Sequence, residues 1–65
     1  SEYEFDLILK AIKEVLLKEN PADAASLAEK TGYPPDKTVR VIRWLIDHKK
    51  IVPDVNMRLR WAVKE

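Results

Sequence analysis

Three cations recur at three-residue spacing in the middle of the chain: Lys37, Arg40 and Arg43. On a helix that spacing keeps side chains on one side of the cylinder. Lysine and arginine neutralise phosphates and release condensed counterions. Arginine also grips guanine O6 and N7 with a bidentate pair. Arg40 falls nearest the centre of the expected exposed face. Thr38 adds a hydroxyl that suits a phosphate and a methyl that suits thymine, or else a local backbone bond or a core position. A second basic set, Arg58, Arg60 and Lys64, alternates with Leu59, Trp61 and Val63. Alternation places the cations on one face of a strand, for phosphate contact or to guard an edge. Trp44 lies outside the expected core arc, beside Val41. It is expected to be partly buried against the downstream strands, with stacking over the arginines or a protein interface as the other readings.

Other chemistries lack their residues. His48 is the only histidine and there is no cysteine, so no metal site can be completed. His48 is expected at a helix C-terminus, where the dipole favours it. No nucleophile motif, glycine-rich phosphate loop or carboxylate cluster is present. Asp23, Asp36 and Asp47 read as caps and charge partners, Asp47 with Arg43 four residues away. No enzyme activity, cofactor or small-molecule substrate is expected.

Sixty-five residues suffice for one small domain, which buries only about 60% of its unfolded surface. A hydrophobic fraction of 46% beside 35% charged residues suits a folded domain. No apolar run reaches membrane-spanning length and no signal-peptide pattern is seen, so the cytoplasm or nucleus is expected. The chain begins at Ser1, which suits a processed chain or a piece of a longer one. Net charge is only +1, but it is unevenly spread. Residues 1–30 carry seven acids and four bases; residues 31–65 carry eight bases and four acids. A positive second half suits a negatively charged partner.

The elements that must position these groups are legible. Phe5, Ile8, Leu9, Ile12, Val15 and Leu16 form one helical stripe, predicting a helix over about 3–19. Leu7, Ala11 and Leu17 widen it, as covered residues or as a contact surface. Asn20 is expected in the left-handed conformation at its end, and Pro21 stops it. Asp23 caps a second helix over about 23–31, and Gly32, the single glycine, follows it. Pro35 suits the first position of a third helix over about 35–48. Val39, Ile42, Leu45 and Ile46 are expected to face the core, with Lys37, Arg40, Trp44 and Asp47 opposite. Val41 and His48 flank one edge, and Asp36 and Arg43 the other. Ile51 and Val52, the turn residues Pro53 to Asn56, and the alternating Arg58 to Val63 predict a hairpin over about 51–63. The fold class is α+β, mainly α: a three-helix core with a two-stranded C-terminal hairpin.

The run Leu27-Ala28-Glu29-Lys30-Thr31-Gly32, followed by Thr38-Val39 with Ile42 and Leu45, resembles the winged helix-turn-helix family of DNA-binding domains. The likeness covers nearly the whole chain. It implies that the third helix enters the major groove while the hairpin, as a wing, touches neighbouring backbone. The topology is also similar to the Z-DNA-binding domains of RNA-editing adenosine deaminases, with Arg40 and Trp61 at matching positions. That family's contacting asparagine and tyrosine fall at Val39 and Arg43 here, and its wing prolines are replaced around Arg58 and Leu59. Only topology is taken from that second likeness.

Double-stranded DNA binding is therefore the expected function, in a small regulator or as a module of a larger protein. Lys37, Arg58, Arg60 and Lys49 or Lys50 would anchor phosphates, and Arg40, Arg43 and Thr38 would lie near bases. Two-fold pairing through Leu7 and Leu17 would lengthen the site. The alternative is a protein-interaction module that touches no DNA, suggested by Val41, Trp44, Val55 and Met57 and by Asp36 and Asp47 on the third helix. A minimised or engineered domain without an evolved partner is a third reading.

Overall fold

The computed structural model of the chain describes residues 2–63. Three helices precede a hairpin: α1 (Glu2–Lys18), α2 (Ala24–Thr31), α3 (Pro35–Asp47), β1 (Ile51–Pro53) and β2 (Leu59–Trp61). The fold is α+β and mainly α, with the element order of a winged-helix topology. Among the described residues, no helix is long and apolar enough to cross a membrane.

Ile8, Ile12 and Leu16 of α1 are buried, one turn apart, with Phe5, Leu9 and Val15 packed at their margins. Their partners are Leu27 of α2, Val41, Ile42 and Leu45 of α3, and Ile51 and Leu59 of the hairpin. Each fully buried leucine or isoleucine contributes about 1.5–3 kcal/mol, so a small set suffices for a thin core. Leu7 and Leu17 remain exposed on α1.

Each helix end has a local cause. The Asp23 carboxylate accepts from the Ser26 N–H at 2.7 Å and caps α2. Gly32 follows α2 with φ 76°; a Cβ there would touch nothing within 4 Å, so the backbone conformation alone favours glycine. The carboxylate of Glu19, beyond α1, pairs with Lys30 of α2. Asn20 departs from expectation. Among the described residues other than glycine, only Lys49 and Met57 have positive φ.

At the end of α3, Lys49 takes φ 59°. Its N–H donates to the Ile46 carbonyl at 3.0 Å, and that of Lys50 to Leu45 at 2.8 Å. These two bonds form a Schellman closure with lysine where glycine is usual. It turns the chain directly into β1.

The hairpin is antiparallel, with Ile51 opposite Trp61, Val52 opposite Arg60 and Pro53 opposite Leu59. A third segment joins it. Ala22 exchanges both backbone bonds with Leu59, at 3.0 and 2.7 Å. This bridge ties the hairpin to the link between α1 and α2, which steadies a ribbon that would be marginal alone.

The phase of α3 differs from the sequence expectation. Thr38, Val41, Ile42 and Leu45 are buried, whereas Val39 is 45% exposed and Ile46 only partly covered. The helix is rotated toward its Val41 edge. In this phase Trp44 meets Phe5 of α1 edge to face, with ring centroids 5.3 Å apart. The rotation that sets Trp44 against α1 is the one that has Val41 inward and Val39 outward.

Candidate nucleic-acid interface

Arg40 and Arg43 lie on the outward side of α3, and both are exposed. Among the described residues, neither has an ion-pair partner, and the expected Arg43–Asp47 pair is not formed. Two unpaired guanidiniums one turn apart are a suitable reader of phosphates or of a guanine edge. Asp36 and Asp47 are exposed as well, and helical spacing puts them on the same outward arc. The face is therefore mixed in charge, which lowers its attraction for a polyanion.

Lys37 is drawn away from that pair. Its Nζ lies 2.8 Å from Glu4 Oε1 on α1. The hydrogen bond from Lys37 holds the Glu4 carboxyl below its ordinary range, and the same bond raises Lys37, with charge attraction adding to both shifts. Lys37 and Arg40 still border one shallow surface, with Glu4, Phe5, Ile8 and Val41.

Thr38 leaves the candidate contact set. It is fully buried, and its hydroxyl donates to the Pro34 carbonyl at 3.0 Å. The Thr38 N–H donates to the same carbonyl at 3.0 Å. A threonine matches valine in shape, and here the hydroxyl is satisfied one turn back along the helix.

Trp44 is half-buried, with Phe5 of α1 against its ring. His48 stacks on the Trp44 ring, with centroids 3.9 Å apart and planes 22° apart. His48 Nδ1 lies 2.8 Å from the Trp44 carbonyl, at the end of the helix as its position suggested. With Phe5 and Trp44, Glu2 and Asp6 line an open depression of about 580 Å³. Two carboxylates there disfavour phosphate, so Trp44 borders the acidic side of the molecule. Val41, a candidate exposed residue, belongs instead to the core.

On the hairpin, Arg58 and Arg60 are exposed and flank buried Leu59. Lys64 lies outside the described residues. The loop between the strands is organised by Asp54. Its Oδ1 accepts from the Asn56 N–H at 2.8 Å and the Arg58 N–H at 3.0 Å. The Arg58 amide, then that of Asn56 and the charges of Arg60 and Arg58, hold the Asp54 carboxyl below its usual value. Val55 and Met57 project from the tip, 97% and 79% exposed. Trp61 packs on the core with Lys13 Nζ 5.6 Å from its ring centroid, and its buried Nε1 has no hydrogen-bond partner. Trp61 is thus packed rather than presented.

Glu4 and Asp54 also shape the surface. Asp54 was foreshadowed by the turn composition around Pro53 and Asn56. Glu4 was not, because 33 residues separate it from Lys37. Among the described residues, no three histidine, cysteine or carboxylate groups gather to hold a metal.

Comparison with protein-family models, curated proteins and solved structures finds no match for this chain.

Proposed function

We propose that the chain binds double-stranded DNA, with α3 presented to a groove and the hairpin beside it. The observation that carries this reading is the exposed pair Arg40 and Arg43, free of carboxylate partners among the described residues, on the helix that follows the Gly32 turn. On mixed-sequence duplex Arg40 and Arg43 neutralise phosphates at the groove edge, and at a specific site they reach on to base edges. Arg58 and Arg60 anchor phosphates, and Asp54 fixes the loop that carries Arg58 and leads into the strand that carries Arg60. Lys37 joins only when a phosphate displaces Glu4. With four arginines engaged, binding is electrostatic, modest and steeply salt-dependent, with a log–log slope of about −3.6.

A second reading, a protein-interaction module, is favoured by the apolar tip Val55 and Met57 and by exposed Val39. Titration of mixed-sequence duplex against salt separates the two. DNA binding predicts a steep slope that shrinks when arginines are removed. A protein module predicts no binding even at low salt.

A further inference from the structure

The outer side of α1 carries a stripe unused by the fold. Tyr3, Leu7, Lys10, Glu14 and Leu17 follow one another at alternating spacings of four and three residues. That is the heptad seam of a paired helix. All five are exposed, with Tyr3 at 75% and Leu17 at 60%. They lie diametrically opposite Ile8, Ile12 and Leu16, which face α2, α3 and β2. Among the described residues, Lys10 and Glu14 do not pair with each other or with any other group.

We propose that this stripe pairs with the same stripe of a second copy, antiparallel, about a two-fold axis at the level of Ile12. The order of residues selects both partner and direction. Running the second helix antiparallel about that level sets Leu7 of each copy against Leu17 of the other. It also sets Lys10 of each against Glu14 of the other. The seam becomes two leucine layers enclosing two ion pairs, as a self-complementary two-fold interface requires. A parallel pairing would oppose lysine to lysine and glutamate to glutamate. A helix of 17 residues is only about 25 Å long, so the interface lies at or below the small end of stable ones and the dimer is weak. No residue of α3 or the hairpin takes part, so the pairing stands apart from DNA binding.

Sedimentation equilibrium of the chain without nucleic acid, from about 10 μM to about 1 mM, tests this. The wild type should shift from monomer to dimer across that range. Lys10→Glu and Glu14→Lys should each weaken association at least about tenfold, since each opposes like charges twice. The chain carrying both substitutions keeps its net charge and should dimerise as the wild type does. A wild type that stays monomeric throughout overturns the proposal. So does association unchanged by either single reversal, or a double variant that fails to recover it.

Discussion

Lys37 of α3 donates to Glu4 of α1 across 2.8 Å, and this bond takes one cation out of the basic row on α3. Both side chains are more than a third exposed, so the pair adds little to stability. Its consequence is for binding. A phosphate near α3 must compete with Glu4 for Lys37. Glu4→Gln should therefore tighten DNA binding and steepen the salt slope by roughly 0.9, one further phosphate contact. An unchanged slope would show that Lys37 takes no part.

The same pair makes a small pH-dependent contribution. Glu4 is held below its ordinary value in the folded chain. Its contribution is thus complete above the unfolded carboxylate value, about 4.3, and is lost as pH falls through the lower folded value. Acid titrations of wild type and Glu4→Gln, followed by circular dichroism, should differ most above that window and converge below it. Parallel curves would remove the pair from the acid response.

Thr38 belongs to the core and not to the contact face. Thr38→Val removes one hydrogen bond and should cost about 1 kcal/mol in urea unfolding. DNA affinity at a temperature where the variant is folded should stay as in the wild type. Weaker binding by the folded variant would return Thr38 to the interface.

Lys49 closes α3 in a conformation that suits glycine. Lys49→Gly should stabilise the domain by about 0.5–1 kcal/mol, since relief of the left-handed strain exceeds the added chain entropy. Thermal melts of the two chains measure this. A lower melting temperature would mean that the lysine side chain makes up for its backbone.

The helices and hairpin were legible because their causes are local: the α1 stripe, the Asp23 cap, the Gly32 turn, the Pro35 start and the alternation around Leu59. The phase of α3 was not. Apolar residues occupy both margins of its arc, Val41 on one and Val39 with Ile46 on the other, so periodicity alone fits two rotations. The contact that goes with the observed rotation comes from Phe5, 39 positions before Trp44. Distance along the chain also hid the Glu4–Lys37 pair and the Ala22–Leu59 bridge, since one bridged residue has no periodicity. At the candidate site, Arg40 and Arg43 could be placed from helical spacing. The loss of Thr38 to the core and of Lys37 to Glu4 could not, because both depend on packing between helices.

Asp54 organises the hairpin loop through the Asn56 and Arg58 amides. Asp54→Ala should speed hydrogen exchange at those two amides and leave α1 unchanged. It should also weaken duplex binding about two- to fivefold, since the loop that carries Arg58 must then be ordered on binding. Exchange that is unaltered at both amides would deny Asp54 this role.

The affinity of Arg40→Ala for duplex DNA as a function of salt tests the central claim most directly. The wild type should bind mixed-sequence duplex at low salt with a log–log slope near −3.6, and Arg40→Ala should bind more weakly with the slope reduced by about 0.9. No duplex binding by the wild type at low salt, or a variant with unchanged affinity and slope, would contradict it.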